Sequence, residues 1–293
     1  MKLCNLTLRL SSRGCTEKAV PFAAAETPSL KGQSFSGATG LYSIPTGRIG
    51  WEKTANFGLD FGYRGIFNDA GNAHIPSFTI SLFKWVELSA AFDIQKEIMG
   101  VSKNGRLEPQ DNDDLLLGVK VQLPTQNQAV AIGTNVQFIN LFNDTFPRNA
   151  RYNAIQPYLA VTFPGTFFKM PAETTIVFGK TFYTGDPYNN SNIDLGMGFD
   201  LLLFPDVFGN LVHLIIDFAN FSYSDNAWPN RLVQGTGPAW YRGIFNTGFR
   251  IDMASIPALS KIKFVIDFVF VDLFDDGHRS ISVGAVFGIP LGN

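Results

Sequence analysis

The stretch that most limits what this chain can fold into runs from Asn192 to Pro205. Ile193, Leu195, Met197, Phe199, Leu201 and Leu203 share one parity, and Asp194, Gly196, Gly198 and Asp200 share the other. Only a β-strand turns a period of two into two faces. An ordinary strand has about five or six residues. This alternation persists for about twice that, the length a tilted strand needs to cross a bilayer. The spacing therefore predicts one stave of a closed transmembrane barrel, with the apolar parity toward lipid and the Asp and Gly parity toward the lumen.

The remaining staves are legible in the same way. Alternation recurs from Ala55 to Tyr63, Phe78 to Leu82, Val86 to Ile94, Leu115 to Leu123, Val130 to Phe138, Ile155 to Phe163, Val212 to Phe218, Tyr241 to Met253, Ile262 to Phe270 and Ile281 to Ile289. It weakens once, between Thr174 and Tyr183, where Lys180 shares parity with Ile176 and Phe178. The fold expected is all-β: a closed antiparallel transmembrane barrel of about 12 strands, within a range of about 10 to 14, even-numbered as bacterial barrels are.

Connection lengths test this independently. Phe83 to Trp85, Pro124 to Asn127, Pro205 to Phe208 and Ala254 to Ala258 read as short turns, with Pro164 to Pro171 somewhat longer. Between them fall the polar stretches Gly65 to His74, Gly100 to Asn112, Asn140 to Arg151, Gly185 to Ser191, Ser224 to Pro238 and Phe274 to His278. Short periplasmic turns alternating with longer extracellular loops belong to a membrane barrel; a sandwich or propeller has no reason to keep them. Aromatics cluster at stave ends: Phe83, Trp85, Phe163, Phe167, Phe204 and Phe208 by the short turns, Tyr63, Phe182, Tyr223, Trp240 and Tyr241 by the long ones. They read as two interfacial girdles.

Composition agrees. The 28 Phe and 28 Gly accompany only 16% charged residues, against roughly 25% in soluble domains. A net charge of −2 gives no basic footprint for nucleic acid. Nowhere do about eighteen apolar residues run together, so no helical span is expected.

Residues 1–33 are expected to be a leader or disordered segment and 34–293 a single barrel. Pro21-Phe22-Ala23-Ala24-Ala25 has the small residues of a signal cleavage site, but no continuous apolar core precedes it. Cys4 and Cys15 both lie in this leader, leaving the barrel without a disulfide or a cysteine metal site. Residues 36–51 are expected to form a plug or an extra strand. Gly37-Ala38-Thr39-Gly40-Leu41-Tyr42-Ser43-Ile44-Pro45-Thr46-Gly47-Arg48, followed by Gly50 and a strand ending in Gly62-Tyr63, resembles the opening of the YjbH-like family of bacterial outer-membrane β-barrel proteins. That family carries Gly-x-x-Gly-Leu-x-x-x-Pro-Thr-small-Arg, and Gly47 stands where it commonly has Ala. The resemblance covers residues 36 to 63 and implies an accessory role in envelope polysaccharide export. In its wealth of Phe and Tyr the chain also resembles spirochaete outer-membrane barrels, in style rather than motif.

Nothing in the sequence points to an enzyme, a cofactor or a metal. Gly196-x-Gly198 lies inside a strand with no helix after it, so it thins the lumen wall rather than cradling phosphate. His213 and Asp217 share the inward face, but no serine is placed beside them to complete a hydrolase. The functional signal is the inward charge. Asp60, Glu87, Asp93, Asp194, Asp200, Asp217, Asp252 and Asp267 fall on the inward parity with Arg64, Lys120, Arg242, Arg250 and Lys263. Such charges either pair to fill a narrow interior or line a selective pore. Pore-lining contacts are expected from Asp194, Asp200, Asp217, Arg242, Arg250, Lys263 and Asp267, with Arg242 and Arg250 facing Asp217 and Lys263. The function expected is a porin-like channel for small polar solutes in the bacterial outer membrane, with lipid, such solutes and the outer-membrane assembly machinery as partners. The alternative is an accessory barrel with a closed lumen.

Overall fold

The computed structural model describes residues 32–51, 55–68, 71–101, 107–139, 153–184, 193–221, 243–259, 261–274 and 279–291. Apart from Gly32 and Gln33, the expected leader lies outside them, as do Arg242, Tyr223, Trp240 and Tyr241. The described residues form β1 (Phe57–Asn68), β2 (Gly71–Leu82), β3 (Val86–Val101), β4 (Leu107–Leu123), β5 (Ala129–Phe138), β6 (Asn153–Phe167) and β7 (Met170–Gly179). They continue with β8 (Phe182–Thr184), β9 (Asp194–Leu202), β10 (Val212–Ala219), β11 (Ile244–Asp252), β12 (Lys263–Val271) and β13 (Ser280–Leu291).

Neighbours in sequence pair antiparallel, and β1 pairs with β13 from Phe57↔Leu291 to Phe67↔Ile281, which closes the ring. β7 and β8 both lie against β6 and are halves of one stave, interrupted at Lys180 and Thr181. The thirteen strands therefore make twelve staves. The interruption sits where the alternation weakens. Parity nevertheless runs through it: Thr175, Val177 and Thr181 are buried, while Phe178 and Phe182 are exposed. Lys180 keeps the outward parity.

Alternate residues face opposite sides of each stave. β6 and β9 begin as strict exposed and buried alternations. On the outside Phe61, Leu88, Leu117, Ile132, Leu159, Met197, Phe249, Phe268 and Val283 are all exposed. Apolar area of that extent all round a barrel belongs against lipid. Among the described residues, no helix is long and apolar enough to cross a membrane.

The connections differ from expectation in two ways. Gly65 to His74 and Gly100 to Asn112 are not open loops, because β1, β2, β3 and β4 run on through most of them. In β1 and β2 the inward positions there turn apolar, at Ile66 and Ala73, while Gly65, Asn72 and His74 stand on the outward parity, so the alternation is lost. Pro164 to Pro171 is likewise strand except for Phe168 and Lys169. These two take φ of 46° and 67°, and Phe83 and Lys84 take 52° and 63°, the left-handed pair a two-residue hairpin demands. At the next short turn Pro205–Phe208 is a single helical turn, α1.

Candidate functional site in the lumen

The interior is not empty. Residues 33–51 lie inside the ring and are buried except at Arg48 and Gly50. Their only strand-like pairings among the described residues are two bridges within the segment, Gln33↔Thr39 and Gly40↔Pro45. The segment is a plug rather than an extra stave. Its glycines and Pro45 keep it folded on itself instead of extended along a sheet edge.

The wall grips this plug mainly by its backbone. Glu87 accepts from the Thr39 N–H at 2.7 Å and from the Thr39 hydroxyl at 2.6 Å. Lys120, 2.9 Å from Glu87, donates to the Thr39 carbonyl at 3.0 Å. One oxygen of Asp217 accepts the N–H groups of Tyr42 and Ser43, at 2.8 and 2.5 Å. Arg64 donates to the carbonyls of Tyr42 and Gln33 at 3.2 and 2.7 Å, and Arg250 donates to that of Gly40 at 3.1 Å. Lower down, Thr162 accepts from the Gly47 N–H and Gln122 from that of Ile49, both at 2.9 Å. An ion pair between plug and wall joins Arg48 to Glu173 at 2.7 Å.

Inward glycines make room for the plug. A Cβ at Gly198 would meet the Leu41 side chain at 2.4 Å, and one at Gly196 would meet Ile44 at 2.6 Å. The Gly196-x-Gly198 pair thins the wall so that two aliphatic side chains can seat there. Gly58 and Gly288 do the same under Trp51, whose indole N–H donates to Asp60 at 2.9 Å. Phe35, Leu41, Tyr42 and Ile44 thereby join an apolar core with Ile66, Ile75, Leu116, Ile215 and Phe221 of the wall. The Arg64 guanidinium lies 4.2 Å above the Tyr42 ring. Burial pushes the Tyr42 phenol up to about 12 despite that neighbour, so it stays neutral.

Of the residues expected to line a pore, the described ones are all buried inside. Asp194 accepts from Gln156 at 2.8 Å and from Thr181 at 2.5 Å. Asp200 meets His213 Nδ1 at 2.6 Å. Arg250 forms a two-pronged pair with Asp267 at 2.8 and 2.9 Å, and Lys263 meets Asp60 at 2.5 Å. The expected facing of Arg250 with Asp217 and Lys263 is corrected by the register. Arg250 stands opposite His213 and Asp267, Asp217 opposite Asn246, and Lys263 opposite Gly288. His213 does not meet Asp217; its other nitrogen lies 3.2 Å from the Asn210 carbonyl.

Two inward carboxylates escape a reading of alternation. Asp114 sits just before the first apolar residue of its stave, within strand that looks like loop, and accepts from Gln137 at 2.9 Å. Glu173 falls between the turn read at Pro164 to Pro171 and the alternation read from Thr174, yet shares parity with Thr175 and Val177, which is the signal that finds it. Among the described residues, no three His, Cys, Asp or Glu side chains are gathered as a metal ion requires.

The geometry defines a class: a closed transmembrane β-barrel whose lumen is ionic and occupied by its own N-terminal segment. No family model matches the chain, and no curated protein matches it. Solved structures similar in shape include the KdgM porin, at 8% identity and a TM-score of 0.47, over 79% of this chain and 99% of that one. The NanC porin is similar at 10% identity and 0.46, over 80% and 100% of the two chains. LpxR from Salmonella typhimurium is similar at 11% identity and 0.43, over 79% and 100%.

Proposed function

We propose that this protein is a bacterial outer-membrane barrel of the porin-like class, without enzymatic activity, that passes small polar solutes when the plug is displaced. The observation that carries this is the inner wall itself. β9, β10, β11 and β12 bring Asp194, Asp200, Asp217, Arg250, Lys263 and Asp267 onto one interior surface inside an apolar exterior. Opposed charges along a lumen are what discriminates among solutes in such pores. Both nitrogens of His213 are engaged, by Asp200 and the Asn210 carbonyl, which supports a structural rather than a catalytic histidine. Lipid surrounds the barrel in this reading, and the outer-membrane assembly machinery inserts it.

The test is single-channel recording in planar bilayers. The full chain is expected to show rare discrete conductance steps. Leu41→Asp with Ile44→Asp, which makes the two aliphatic seats untenable for the plug, is expected to make them frequent. A variant that remains a heat-modifiable barrel on gels and stays silent would overturn the channel.

A second reading is an accessory barrel with a permanently closed lumen, serving envelope polysaccharide export as the YjbH-like resemblance implies. The dry packing of Phe35, Leu41 and Ile44 favours it. The plug is also the segment that carries the resemblance. One position departs for a steric reason: a Cβ at Gly47 would lie 2.2 Å from the Ala129 carbonyl oxygen, so the family's alanine has no room here.

A further inference from the structure

We infer that the wall gripping residues 33–51 is a binding site for a short, turn-rich polypeptide segment, and that the plug is its occupant in cis. The inference rests on the porin-like reading for access to the lumen and names the class of ligand that lumen holds.

What the wall reads is main chain. Carboxylates and side-chain oxygens of Glu87, Asp217, Thr162 and Gln122 accept the N–H groups of Thr39, Tyr42, Ser43, Gly47 and Ile49. Arg64, Lys120 and Arg250 donate to the carbonyls of Gln33, Tyr42, Thr39 and Gly40. Acceptors for N–H groups interleaved with donors for carbonyls along one folded segment suit polypeptide backbone. An inorganic ion presents only one sign of charge and does not match that arrangement.

The site stays formed when its occupant leaves, because the reading groups are braced by the wall itself. Lys120 holds Glu87, Asp267 holds Arg250, and Asn246 holds Asp217 at 2.8 Å. Selectivity comes from shape and from one charge. The glycine seats at Gly198 and Gly196 take an aliphatic side chain and a second one three residues on, as Leu41 and Ile44 do. Glu173 takes a cation four residues further, as it takes Arg48. The ligand is therefore a short, turn-forming peptide, glycine-rich, with two aliphatic residues and a basic one at that spacing.

A peptide offered from outside competes with the tethered plug, whose effective concentration is on the order of millimolar. The experiment therefore unseats the plug and leaves the wall untouched. In the full chain, Gly40→Val places a Cβ 2.3 Å from the Ile44 carbonyl oxygen, and Gly47→Val places one 2.2 Å from that of Ala129. If this chain does not give a heat-modifiable barrel, Leu41→Asp with Ile44→Asp unseats the plug instead. The probe is a fluorescein-labelled synthetic peptide with the sequence of residues 36–48, followed by anisotropy in detergent. Saturable binding is expected to the unseated chain, and at least about tenfold weaker binding to the wild type, whose site is filled. Asp217→Asn in the unseated background is expected to weaken binding by about ten- to a hundredfold, the loss of charge-assisted hydrogen bonds. A scrambled peptide that binds equally well, or Asp217→Asn with no effect, overturns the inference. Because the readout is binding, a barrel that takes the peptide and never conducts counts against the porin-like reading alone. One that conducts and ignores the peptide counts against this inference alone.

Discussion

At the short-turn end of the lumen carboxylates meet cations: Asp60 with Lys263, Glu87 with Lys120, Glu173 with Arg48 and Asp267 with Arg250. Toward the loop end they meet amides and hydroxyls instead. Asp93 accepts from Gln95, Asp114 from Gln137, and Asp194 from Gln156 and Thr181. That is also where inward positions turn apolar, at Ile66, Ile75, Leu116, Val177, Ile244 and Val269. The contrast is one of fragility. Deleting one member of a buried ion pair strands the other charge, whereas deleting an amide removes a hydrogen bond from a carboxylate that keeps its remaining contacts.

The largest effect should therefore come from the short-turn end. Arg250→Met strands Asp267 and leaves the Gly40 carbonyl without its donor; it is expected to cost about 3–5 kcal/mol of barrel stability, measured as a fall in the urea midpoint of the refolded protein. A loss below about 1 kcal/mol, the range of an exposed pair, would erase the contrast. Gln156→Leu at the loop end leaves Asp194 with Thr181 and is expected to cost about 1–3 kcal/mol in the same assay. The smallest effect has the opposite sign. Asp93 and Asp114 stand directly opposite each other on β3 and β4, and like charges so placed destabilise a sheet by about 0.2–1 kcal/mol. Asp114→Asn should raise the midpoint by that much, and a drop would mean that the two carboxylates are not in conflict.

Much of this barrel is legible from alternation alone, because the inward parity of a strand is fixed by its period. Asp60, Lys120, Arg250 and Lys263 can be placed inside without coordinates. Their partners cannot, because parity says nothing about the offset between strands. Arg250 suits Asp217 as well as Asp267 until the register between β11 and its neighbours is known. Lys263 and Asp60 are farther from view still, since they meet only because β13 joins β1 and closes the ring. The segment 36–51 reads from the sequence as either a plug or an extra strand. What holds it is spread over strands from β1 to β11, and no local pattern encodes that. Loop lengths mislead for a related reason. Gly65 to His74 reads as loop because the inward positions there are apolar, at Ile66 and Ala73, and the outward ones mixed, so the parity that marks a stave lapses.

Trp51 carries a consequence in time rather than in space. The ladder between β1 and β13 joins the two most distant strands of the chain, and pairings across such separations form late because loop closure must come first. On the inner side of that seam Trp51 lies over Gly58 of one strand and Gly288 of the other, its indole bonded to Asp60. A single side chain thus bridges the last joint to close. Seating it favours the closed ring over the open one, so a barrel whose N-terminal segment is displaced should still close, but more slowly. The rate at which Trp51 acquires its buried fluorescence would then time the final stitch of assembly.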